Sequence, residues 1–89
     1  MIINLKGNEV ALSGTGNGNN FSAATCIKVN VTSTAVIELR SVDSEGAHTL
    51  IGNTTLLATN TYFIEKDHTD LIRLVSGTAV GTPVGFTIS

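Results

Sequence analysis

One short stretch gathers side chains capable of acid–base or metal chemistry. EKDHTD, Glu65 to Asp70, holds three carboxylates, an imidazole and an ammonium in six residues. A metal ion or a proton-transfer pair needs such groups to converge on one point. The flanking runs TYFIEK and DLIRLV are rich in β-branched and aromatic residues and read as strands, on which successive side chains point to opposite faces. Glu65, Asp67, His68 and Asp70 therefore need not meet. The simpler role is a tight turn in which Asp and Thr bond the local backbone. Lys66 and Asp70 are expected to flank this turn and pair across it, fixing strand register, a contact worth about 0–1 kcal/mol if exposed.

The second tempting stretch is SGTGNGNN, Ser13 to Asn20, with three glycines and three asparagines. A phosphate cradle presents backbone N–H groups at the start of a helix, and nothing after Phe21 reads as helix. Gly14, Gly16 and Gly18 are evenly spaced, no Gly-Lys-Ser/Thr follows, and Asn19 stands where a dinucleotide fingerprint needs glycine. The stretch reads as a flexible loop. Cys26, alone in the chain, is expected to be a small packing residue, and His48 a solvated residue at a strand end. No serine stands in a GxSxG elbow, and two histidines with one cysteine leave little material for a triad. The expectation is a non-enzymatic protein with no metal and no cofactor.

The elements carrying these residues follow from periodicity. In TCIKVNVT, Ile27, Val29 and Val31 alternate with Lys28, Asn30 and Thr32; in AVIELR, Ala35, Ile37 and Leu39 alternate with Glu38 and Arg40. The polar link around Ser33 suggests that these two runs pair as a hairpin. DSEG, Asp43 to Gly46, reads as a turn returning HTLIGNTTL as a third antiparallel strand, with Gly52 marking a bulge. TYFIEK, DLIRLV and VGFTIS follow, the last with Val84, Phe86 and Ile88 on one face, and weaker strands are expected near Ile2–Leu5 and Glu9–Leu12. No segment carries apolar residues at helical spacing. The prediction is a small all-β domain over residues 1–89 with almost no helix: an antiparallel two-sheet β-sandwich of Greek-key or jelly-roll type, with a small closed barrel as the alternative.

At 89 residues the chain makes one domain with a thin core, so burial shared with another chain would add appreciably to its stability. Charged residues are 13% of the chain and the net charge is −2, which offers no basic patch for nucleic acid. Aromatic content of 4% without Trp argues against stacking on sugars or bases. No run approaches the ~18 apolar residues of a membrane span, and the start MIINLKGNEVALSG lacks the basic opening and apolar run of a signal peptide, so the chain reads as made in the cytoplasm.

The segments TCIKVNVTSTAVIELRSVDSEGAHTLIGNTTL, TYFIEKDHTDLI and TPVGFTIS resemble a group of short virion structural proteins of marine tailed bacteriophages. The likeness runs from about Thr25 to Ser89 and rests on Lys28, Val29 and Asn30; Ile51, Gly52, Thr55 and Leu56; Glu65, Lys66, Thr69 and Asp70; and Val84 and Gly85. After Asp70, LIRLVSGTAV departs from the more alanine-rich stretch of that group. The resemblance implies a small β domain without an active site, made in the host cytoplasm and carried in the virion. Its first reading is a capsid decoration or cement protein bound to the major capsid protein, as a homotrimer at local threefold positions. Its alternative is a tail, neck or fibre-associated module, one that could meet a host receptor. Residues 1–22 would then be an N-terminal arm with its Gly/Asn-rich loop, and Met1, Ile2, Ile3, Asn4 and Leu5 the candidate partner contact, an apolar extended edge able to add to another chain. The plainer reading makes the same residues the first strand of the domain itself.

Overall fold

In a computed structural model, residues 2–14 and 18–87 are described. Met1, Ile88 and the Thr15–Asn17 part of the Gly/Asn stretch lie outside them. The described chain is all-β and without helix: β1 (Ile2–Leu5), β2 (Val10–Ala11), β3 (Cys26–Val42), β4 (His48–Leu56), β5 (Asn60–Glu65) and β6 (Leu71–Thr87). Every pairing is antiparallel.

Two 17-residue strands organise the sheet. β3 and β6 pair from Ile27 opposite Pro83 to Arg40 opposite Leu71. The hairpin expected between TCIKVNVT and AVIELR is therefore replaced by one continuous strand, and LIRLV and VGFT are likewise two ends of one strand. The Ser33 region misleads because a strand that bends exposes its polar bend residues just as a turn does: Thr32, Ser33 and Thr34 are all exposed in mid-strand. On the other edge of β3, β5 lies along Cys26–Val31 and β4 along Ala35–Val42. DSEG forms the expected turn, its Asp43 carboxylate accepting from the backbone N–H groups of Glu45 and Ala47. The bulge falls beside Gly52, where Leu39 faces Gly52 but Arg40 faces Leu50, leaving Ile51 as the extra residue.

The sheet is folded over on itself. β5 ends opposite Cys26 and β6 begins opposite Arg40, fourteen residues further along β3. A straight strand would separate those points by about 46 Å. The link from Glu65 to Leu71 reaches only about 20 Å. The bend crosses the two long strands, where the β3–β6 register shifts between Val31 and Ile37. Adjacent residues Leu12 and Ser13 bond Ala79 and Leu74 of β6, so Val75–Thr78 arches outward between them. Gly77 makes that arch possible: its φ is +87°, and a Cβ would run into the Thr34 carbonyl and sit 2.6 Å from the Ala35 Cα.

The core fills the fold: Ile27, Val29 and Val31 from one half of β3, Ala35 and Ile37 from the other, with Ile72, Ala79, Leu56, Leu12 and Phe21. The described N-terminal residues meet the outer edge of β6 at Ile2–Leu5, at Val10–Ala11 and at Asn19, which bridges to Ile72. Phe21 then enters the core beside Gly81, where a Cβ would lie 2.8 Å from its ring. Among the described residues the edge formed by β4 and β5 does not join the N-terminal edge, so the sheet is not the closed barrel of the alternative expectation.

Candidate contact surface

The EKDHTD residues lie where β5 crosses to β6. Glu65, Asp67 and His68 are exposed while Lys66 and Asp70 are buried. The Lys66 and Asp70 side chains meet at Asp67 rather than each other. Lys66 Nζ donates to the Asp67 carbonyl at 3.1 Å, and the Asp67 N–H donates to Asp70 Oδ2 at 3.1 Å. A backbone bond from Asp70 N to the Asp67 carbonyl closes the turn at 3.0 Å. Burial pushes the Lys66 ammonium below its ordinary pKa, and the carboxylates of Asp70 and Asp67 push back. The two residues thus hold the crossover by capping its backbone. Among the described residues, no three His, Cys, Asp or Glu side chains gather as a metal site requires.

Cys26 is half-buried; burial, then the Glu65 charge, raises its pKa and keeps it a thiol, a poor nucleophile. His48 is not fully solvated: it is half-buried, and its Nδ1 is buried with no hydrogen-bond partner.

The strongest polar cluster is one the sequence reading passed over. Buried Glu38 accepts from Arg40 Nε at 2.7 Å and from Arg73 Nη1 at 3.0 Å through the same oxygen. Arg40 shares a face of β3 with Glu38 at i, i+2, and Arg73 stands opposite Glu38 across the β3–β6 ladder. The Arg40 hydrogen bond, and then that of Arg73, hold the Glu38 carboxyl below the usual carboxylate range against the opposing effect of burial. The visible signal was the Glu-x-Arg spacing in ELR; Arg73 could not be assigned without the register.

The most apolar concavity among the described residues lies where the folded sheet is open, between the inner faces of β4 and β5. It measures about 360 Å³ and is lined by Ile37, Leu39, Leu56, Tyr62 and Ile64 among others. The Leu57 N–H donates to the Tyr62 hydroxyl oxygen at 3.0 Å, tying the β4–β5 link to the cleft wall. Both flanking strands pair only with β3 among the described residues. From Thr49 to Thr55, β4 is exposed at every position, inward ones included. Strand edges left like this normally carry charges or Pro as a guard. Here, from Ala47 to Ile64, eighteen residues pass without one Asp, Glu, Lys or Arg. That charge gap was visible in the sequence but had no meaning until the run proved to be one whole edge.

The residues expected at a partner contact, Ile2 to Leu5, form β1 on β6, as the plainer reading had it, with Ile3 and Leu5 exposed. Of the eight exposed large apolar side chains among the described residues, Ile3, Leu5 and Val10 lie on the N-terminal edge and Leu50, Ile51, Leu57 and Phe63 on the β4–β5 edge. The eighth, Val75, lies at the bend. Comparison with protein-family models, with curated proteins and with solved structures finds no match to this chain.

Proposed function

We propose that this chain is a non-enzymatic structural protein of a phage virion, a capsid decoration or cement protein that binds the major capsid protein. The single observation carrying this reading is the open apolar cleft between the inner faces of β4 and β5. Such a surface suits contact with protein: interface cores are depleted of charge and rich in apolar area. The resemblance of Thr25–Ser89 to virion proteins supplies the setting, and the folded-over sheet serves as a small β-sandwich that hardens a lattice by burying surface at subunit junctions. The protein acts as a homotrimer at local threefold positions, without cofactor, nucleic acid or membrane. It is made in the host cytoplasm and retained in the virion.

The test is addition of purified protein to capsids lacking it. Heat resistance should return at saturating stoichiometry, and particles should carry hundreds of copies by quantitative staining. A few dozen copies or fewer would place the protein in the tail, neck or fibre instead. No particle binding at any concentration would end the virion reading.

A further inference from the structure

Among the described residues, seven of the eight exposed large apolar side chains stand on the two lateral edges of one sheet. The two edges differ in sequence and length. One is β1 and β2 along β6; the other is β4 and β5 along β3. We propose that copies of this chain join head to tail, the β1 edge of one copy pairing with the β4–β5 edge of the next, so that the sheet continues from copy to copy around a closed ring.

Three observations select this occupant. Neither edge carries charge where it would meet the other: β1 has none from Ile2 to Leu5, and the opposite edge none from Ala47 to Ile64. The net charge of −2, which resists self-association, is therefore carried away from the contact. Second, among the described residues β1 pairs only with β6 and β4 and β5 only with β3, all antiparallel, so one edge strand can extend the other. Third, a twofold contact pairs an edge with itself and leaves the other apolar edge in water, whereas a head-to-tail contact covers both edges in every copy and ends when the ring closes. The inference rests on the homo-oligomer of the proposed function for the number of copies, and on nothing said there about capsids.

The test uses the full chain with Leu5→Asp on one edge and Ile51→Lys on the other, both at exposed positions. Light scattering at micromolar concentration should show wild type at three times the chain mass and each variant at the mass of one chain. An equimolar mixture should regain association to at least twice the chain mass, because each variant keeps the edge that the other has lost. Circular dichroism checks that both stay folded; should either unfold, Leu5→Thr and Ile51→Thr replace them, read as at least a tenfold rise in the concentration needed for assembly. An oligomer untouched by either substitution overturns the edge pairing while leaving the homo-oligomer standing. Loss of assembly by one variant alone, with no recovery on mixing, overturns it in favour of a twofold contact. A wild-type monomer at every concentration overturns both, and the capsid reading is then judged by the add-back assay alone.

Discussion

At the scale of the residue, Gly77 and Glu38 carry the sharpest consequences. Gly77 sits at φ +87° with the Thr34 and Ala35 backbone against the place a Cβ would occupy. Gly77→Ala therefore meets both a left-handed backbone and a clash with main chain that cannot rotate away. We expect a loss of more than about 2 kcal/mol, read as a lower urea midpoint with unchanged slope. Glu38 binds two arginines, and its carboxyl is held below the usual range. Between its folded pKa and its higher unfolded pKa the unfolded chain binds more protons, so stability from this group is present above the unfolded value and is lost as pH falls through the folded one. Urea midpoints measured from about pH 5 to pH 3 should fall less steeply in Glu38→Gln than in wild type. Equal slopes would show that the carboxylate adds nothing in this window.

At the scale of the element, the crossover and the entry to the core are the places where local chemistry opposes or supports the fold. Phe21, Ser22 and Ala23 take φ of 53°, 58° and 62°, three left-handed residues in a row without a glycine. Each costs about 1–2 kcal/mol relative to ordinary backbone. Asn19 and Asn20 offset part of this, their side-chain oxygens accepting from Phe21 N at 2.7 Å and Ser22 N at 3.1 Å, and burial of the Phe21 ring supplies more. Ala23 is exposed, so Ala23→Gly removes the strain without touching the core; a gain of about 0.5–1 kcal/mol in chemical denaturation is the expected result. At the other crossover, Asp70→Ala strips the Asp67 N–H of its acceptor and should cost about 1–2 kcal/mol, while Asp70→Asn keeps an acceptor and most of the stability. Equal losses in the two variants would assign the role to charge instead.

At the scale of the whole molecule, the long strands set the behaviour. β3 and β6 are far apart in the chain and pair along nearly their full length, so no half of the sheet can form alone. A domain of this size leaves little stability in reserve, about 0.05–0.15 kcal/mol per residue, and a core open along one edge leaves less. The proposed assembly, by covering the edges, would add to it by mass action. Melting temperature should rise across a dilution series from low to high micromolar protein, followed by calorimetry. Constant melting across that range would show that the folded chain gains nothing from its copies.

Periodicity and composition alone determined that the chain is β, that it is antiparallel, where DSEG turns and where the strand beside Gly52 bulges, because these depend on side-chain alternation and turn chemistry over a few residues. They also exposed the turn at Lys66–Asp70, though not that both side chains converge on Asp67. Tertiary structure decided the rest. Whether Thr32–Thr34 ends a strand or bends one depends on Gly77, more than forty residues away, because the same exposed polar residues serve either purpose. Arg73 joins Glu38 only through the β3–β6 register. The eighteen uncharged residues from Ala47 to Ile64 became one exposed edge only when β4 and β5 proved to lie end to end on one side of β3, since exposure belongs to the folded sheet and not to any residue in it.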